Sequence, residues 1–374
     1  MSRFLTFVGA LMVALPCAQA ANDDRGRVKV LMHTFLMELE KMTPYLNSDK
    51  ALNSPKAKEI VGSSLQVLES KIKNPPPMLK ESPGFRITFG MLADHIEKTK
   101  MAFDHGEMEL TRLRLNSTTA FCAGCHTQTP KISQLSPFAS MEQRFNNSNF
   151  ENANFLFVIR KYPEALTMFD ELARKYPKST IESDQLSELY RRKLTIFARV
   201  TKDPQKAIEN LNQDLKNEKL PADIKNNIKE WIVALEKWKS EKTDPSKMST
   251  PELLAYVSKA LPPKMDRKIA PSHPQLLNIL RLSGLLYERL FEEPNGPKAQ
   301  ELLYDLALCE RSLAPLYLYS VSEVYLKECI VRYPKQSFSQ KCYDAYRDGM
   351  TERYFGQSIP EPIEASLQAL KQYL

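Results

Sequence analysis

Cys122, Cys125 and His126 form the most specific chemical string in this chain, Phe121-Cys122-Ala123-Gly124-Cys125-His126. The spacing is C-x-x-C-H, that of covalent haem attachment. Two thiols three residues apart reach the two vinyl groups of one porphyrin and become thioethers. The histidine that follows is carried under the iron, where its imidazole serves as the proximal ligand. A cysteine pair without the histidine would suit a redox dithiol or half of a zinc site. The chain has no second C-x-x-C to complete a zinc centre. One covalent haem c, held by Cys122 and Cys125 and ligated by His126, is the expected cofactor.

Haem is attached outside the bacterial cytoplasmic membrane, so the motif predicts an exported chain. The N-terminus has the matching form. Arg3 precedes an apolar run from Phe4 to Leu15, the length of a signal-peptide core and too short to span a bilayer. Ala18-Gln19-Ala20 has the small-x-small pattern of a cleavage site, which puts the mature start at Ala21. Cys17 would suit a lipid anchor, but Pro16 stands where such a site wants a small residue. The expected location is the periplasm, with no membrane span.

Around the motif the chain reads as helix. There are 11 glycines against 25 prolines among 374 residues, a balance suited to helices punctuated by proline and not to a β-rich fold. Net charge is +7, with lysines and acids interspersed along the helical faces and no basic tract with interleaved aromatics. Nucleic acid is therefore not an expected partner. Four stretches make up the first domain, residues 21–136. The first, about Asp24 to Tyr45, repeats Val28, Met32, Phe35, Leu39 and Met42 at helical spacing. The second opens at Asn53-Ser54-Pro55, a helix start, and carries Ile60, Leu65, Leu68 and Ile72. The third, Phe85 to Asp104, turns Phe89, Leu92, Ile96 and Phe103 inward. The fourth begins at Glu107, carries Leu110, Leu113, Phe121 and the haem motif, and stops at Pro130.

A four-helix chain with its C-x-x-C-H near the end of the last helix resembles the class II cytochromes c, cytochrome c-prime and cytochrome c-556. Asp104-His105-Gly106-Glu107 is similar to that family's turn between helices three and four. Pro130 departs from it, because the family carries an arginine four residues after the motif histidine. The resemblance implies that helix one covers the distal face of the haem. Met32 there would give a six-coordinate iron suited to outer-sphere electron transfer. With Arg27 in the role of the family's distal arginine, Leu31 falls over the iron instead and leaves it open to nitric oxide or carbon monoxide. Met32 is the preferred distal ligand, and His33 and Met37 are weaker alternatives. His95 and His105 read as hydrogen-bonded or solvent-facing.

From residue 137 onward the pattern changes. Tyr162-Pro163-Glu164-Ala165-Leu166, Phe169 and Tyr176-Pro177 resemble helix B of a tetratricopeptide repeat (TPR), where a small alanine admits close helix approach. Ala207 with Leu211, Gly284 with Tyr287, and Ala299, Leu303 and Ala307 are weaker echoes, and the alternative is a generic α-α superhelix. Lys239 to Pro251 and Pro262 to Pro274 are candidate breaks, dividing the region into residues 137–240 and 250–374. The expected fold is thus all-α, a four-helix haem domain followed by a TPR-like superhelix. Cys329 and Cys342 flank Tyr333-Pro334 and are the preferred pair, over one that includes Cys309, and a disulfide between them would add roughly 3 kcal/mol by restricting the unfolded chain. Cys309, in a Leu-Ala-Leu-Cys run, reads as a buried apolar residue.

The functional expectation is a periplasmic electron carrier whose helical tail docks redox partner proteins. The alternatives are a gas-binding sensor and an interaction scaffold with a structural haem. No Gly-rich phosphate loop, nucleophile elbow or zinc signature occurs, so no enzyme is expected. Oligomeric state is open, although the resemblance allows a dimer.

Overall fold

The computed structural model describes residues 14–45, 49–81, 83–128, 149–179, 181–261, 273–317, 322–353, 358 and 361–374. Among them there are helices and connecting turns and no strand. The chain divides into two compact units, Met1–Thr118 and Thr119–Leu374. The dividing point falls inside one helix, ahead of the C-x-x-C-H motif.

The first unit contains α1 (Ala14–Met42), α2 (Asp49–Leu52), α3 (Pro55–Lys73), α4 (Pro77–Glu81), α5 (Pro83–Asp104) and the start of α6 (Met108–Gln128). α1 begins well before Asp24, since nothing between Ala18 and Asp24 interrupts a helix. α3 starts where its sequence signals it. Ser54 accepts the amide of Ala57 at 3.2 Å, and Pro55 occupies the first turn, where its missing N–H costs nothing. α3 packs between α1 and α5, burying Val61, Leu65, Leu68 and Ile72.

Two helices are rotated from their expected faces. On α1 the buried stripe is Leu31, Phe35, Glu38 and Met42, at i, i+4, i+7 and i+11. Val28, Met32 and Leu39 are half-buried on its flank. Glu38 explains the rotation: its carboxylate accepts Ser64 Oγ at 2.8 Å and Lys41 Nζ at 2.7 Å, so a charged residue can sit against α3. On α6, Leu110 and Leu113 are exposed, at 42% and 63%, and the buried face is Thr111, Leu115 and Thr118. Threonine can be buried there because its hydroxyl donates back along its own helix, Thr111 to Glu107 O and Thr118 to Arg114 O.

The second unit holds the end of α6 and then α7 (Phe150–Val158), α8 (Tyr162–Lys175), α9 (Ser183–Thr195), a π-helical segment Ile196–Thr201, α10 (Pro204–Asp214), α11 (Ala222–Lys239), α12 (Thr250–Ala260), α13 (His273–Glu292), α14 (Ala299–Tyr317), α15 (Ser322–Arg332), α16 (Ser339–Arg353) and α17 (Glu361–Leu370). Successive helices pack against one another, α7 on α8, α10 on α11, α13 on α14, α14 on α15 and α15 on α16. Ala165, Phe169, Ala207, Leu211, Tyr287, Ala299, Leu303 and Ala307 are all buried in these contacts.

Polar links stitch the helices together. Lys193, with no exposed surface, pairs with Asp170 at 2.8 Å and with Asp214, tying α9 to α8 and α10. Arg199 joins the π-helical segment to α13 and α14 through Ser283 and Glu310. Cys329 on α15 and Cys342 on α16 form the expected disulfide, with Cα atoms 6.2 Å apart. Cys309 is fully buried, and burial pushes its thiol well above the ordinary value. It is an apolar filler with no accessible thiolate.

Candidate functional site

The haem motif lies on the last two turns of α6. Cys122 and His126 are four residues apart, and Cys125 is three from Cys122, so a helix carries all three positions on one side. Extending that face backwards gives Thr118, Leu115 and Thr111, the stripe that α6 buries. By helical register Cys122 and His126 follow on from that stripe. Cys122 and His126 are both partly buried. The side chains of Phe121 and Cys125, the cleavage site at Ala18–Ala20, Cys17, and Pro130 lie outside the described residues or side chains.

His126 is held by the α7–α8 turn. Its Nδ1 bonds the carbonyl of Val158, the last residue of α7. The final carbonyls of a helix have no intrahelical donor, so the imidazole satisfies one of them. A carbonyl can only accept, which puts the proton on Nδ1. Withdrawal of the ring from water, with the positive charge of Arg160 as the second cause, lowers His126 to about 3. The imidazole is therefore neutral at pH 7 and its Nε2 carries the lone pair. Metal-bound histidines are arranged this way, with the second nitrogen donating to a backbone carbonyl that fixes the ring and its tautomer. The hydroxyl of Tyr162, first residue of α8, donates to the carbonyl of His126 itself at 3.1 Å.

The turn that supplies Val158 is unusual. Arg160 N–H bonds Phe157 O at 3.2 Å and Lys161 N–H bonds Leu156 O at 2.9 Å, the paired bonds of a Schellman C-cap. Its central residue needs a left-handed backbone, for which glycine is the cheapest choice. Arg160 occupies it at φ 69°, and is 8% exposed. Behind it, Phe157 and Tyr162 stack edge to face at 5.9 Å, with the Arg192 guanidinium 4.9 Å from the Phe157 ring centre. Arg160 was invisible in the sequence, since Arg-Lys-Tyr-Pro carries no signal for a left-handed residue. Tyr162 was visible as a repeat position but not as a partner of the motif.

The other predicted positions are more ordinary. On α1, Leu31 is buried and Met32 and His33 are half-buried, whereas Met37 is 38% exposed. His95 on α5 is buried at 2%. Its Nε2 donates to Arg114 O at 2.8 Å, Thr118 Oγ1 lies 3.1 Å away, and burial lowers its pKa to about 4. It is a neutral pin between α5 and α6. His105 is exposed.

By helical position Cys122 and Cys125 lie on one side of α6 with His126, whose neutral imidazole bonds Val158 through Nδ1 and not through Nε2, a donor set compatible in residue type with a thioether-held haem. Among the described residues no cluster of three or more His, Cys, Asp or Glu forms a separate metal site, and no helix is long and apolar enough to cross a membrane. No family model, curated protein or solved structure matches the chain.

Proposed function

We propose that this chain is an exported monohaem c-type cytochrome that passes single electrons to partner proteins in the periplasm. Cys122 and Cys125 would hold the haem through thioethers and His126 would ligate its iron through Nε2. When bound, that group supplies reversible one-electron chemistry. The observation that carries the reading is the hydrogen bond from His126 Nδ1 to Val158, which orients the imidazole and keeps it in the ligand tautomer. Arg160 would supply the positive charge for a haem propionate that Pro130 does not, since no basic residue separates His126 from Lys131. Residues 21–136 would have the character of a class II cytochrome, with the C-x-x-C-H motif itself in the second unit, and the successive hairpins that of a degenerate TPR array, with the array selecting the redox partner.

A second reading has its own support. Leu31, not Met32, belongs to the buried stripe of α1. If, as the resemblance to class II cytochromes implies, Leu31 rather than Met32 took the distal position, the iron would be open to nitric oxide or carbon monoxide. A visible spectrum of the reduced holoprotein, taken before and after carbon monoxide, decides between the two. Sharp α and β bands untouched by the gas, and lost in Met32→Ala, establish the electron carrier. A broad high-spin spectrum that shifts with the gas establishes the sensor. A chain purified without haem from a host competent in c-type maturation refutes both.

A further inference from the structure

The second unit contains a cavity of about 350 Å³ that electron transfer at the haem motif leaves without a role. It opens between the end of α11, the following loop, the π-helical segment and α13. We propose that it binds a small organic carboxylate with a flat apolar body.

Its volume is that of a small-molecule site. One wall is built from an indole ring and a buried guanidinium. The Arg281 guanidinium lies 4.5 Å from the Trp238 ring centre, and both Glu241 carboxylate oxygens hold it, at 2.8 and 2.7 Å. Arg281 is 6% exposed, so this wall stays in place without a ligand. Leu285, Ala198 and Pro204 add apolar lining. Two costly backbone features border the same space. Ala198 lies in the π-helical segment, and Lys202, directly after it, is left-handed at φ 52°. π-Turns and left-handed non-glycine residues persist mainly where a site uses them.

Charge selects the ligand. Lys202, Lys239, Lys242 and Arg281 line the cavity together with Glu241 and Asp244. Both acids are engaged within the protein, Glu241 by Arg281 and Asp244 by the amide and hydroxyl of Ser246 at 3.0 and 2.8 Å. Lys202 pairs with Glu288. Lys239 reaches Glu236 only at 3.8 Å across exposed surface, and Lys242 makes no ion pair among the described residues. Lys239 and Lys242 are therefore the lining cations least engaged within the protein. The two resident carboxylates disfavour a dianion such as phosphate, which leaves a monocarboxylate as the best match.

Calorimetric titration of the full-length protein tests this with 2-naphthoate as probe. Saturable binding is expected. The neutral 2-naphthalenemethanol and inorganic phosphate should each bind at least about tenfold more weakly, and Lys239→Glu and Lys242→Glu should each weaken naphthoate about tenfold. Both substitutions are on exposed side chains, and an unchanged circular-dichroism melt verifies their folding. Absence of saturable heat, equal binding of the alcohol, tighter binding of phosphate, or indifference to both charge reversals would overturn the proposal. Tighter binding of an acidic nonapeptide than of 2-naphthoate would overturn it in favour of a protein segment as occupant.

Discussion

At the scale of single residues, the surroundings of His126 are set by groups far from it in sequence. Arg160 pairs a left-handed backbone with burial close to the ring of His126. The backbone part can be isolated. Arg160→Gly and Arg160→Ala both remove the side chain, but only alanine keeps the Cβ that the left-handed region disfavours. Arg160→Gly should be the more stable by about 1 kcal/mol in urea unfolding, and equal midpoints would remove backbone cost from the account of this turn. His95 makes a separate prediction. Its folded pKa of about 4 lies below the ordinary 6.5, so the unfolded chain takes up the proton first as pH falls. The contribution is complete above pH 6.5 and is lost between there and pH 4, on the order of 3 kcal/mol. His95→Gln should flatten that part of the stability profile, and a profile unchanged by the substitution would show that His95 does not set it.

At the scale of helices, buried charge fixes which elements meet. Lys193 is surrounded by Asp170 and Asp214, and burial raises the Asp214 carboxyl against the opposing pull of Lys193. Removing one partner of such a group strands the other, at a cost of roughly 3–5 kcal/mol. Lys193→Met should lower stability by that order, and adding Asp214→Asn should restore a large part of it. A double variant no more stable than Lys193→Met would show that the two side chains are not energetically coupled. The same logic rotated α1. Once Glu38 found Ser64 and Lys41, the buried stripe could pass through a charged position, which hydrophobic spacing alone does not reveal.

At the largest scale, successive helices of the second unit pack neighbour on neighbour, and the disulfide Cys329–Cys342 links α15 to α16 near its end. Gln300 on α14 reinforces that link, its amide nitrogen donating to Cys329 O and Tyr333 O, each at 3.2 Å, while its oxygen accepts the Phe338 amide. Cys329→Ser/Cys342→Ser should therefore cost roughly 3 kcal/mol. Reductant should shift the wild-type midpoint by a similar amount and leave the variant unmoved. A reductant effect that persists in the variant would place the sensitive bond elsewhere.

Local signals determined much of this protein. Proline placement and apolar periodicity read as an all-helical chain, Ser54-Pro55 marked the start of α3, and Cys329 and Cys342 stood close enough along one hairpin to be paired from sequence. These are short-range matters of capping, spacing and chain closure, complete within about twenty residues. Only the tertiary structure decided which helical face is buried. Spacing named Met32, Leu110 and Leu113, whereas Glu38, Thr111 and Thr118 went inside because partners across the bundle or along the helix satisfied them. Only the tertiary structure, too, brought the Val158 carbonyl to His126 across 32 residues and set Arg160 in its left-handed turn. A hydrogen-bond acceptor at the end of a helix has no residue-type signature, since every backbone carries one.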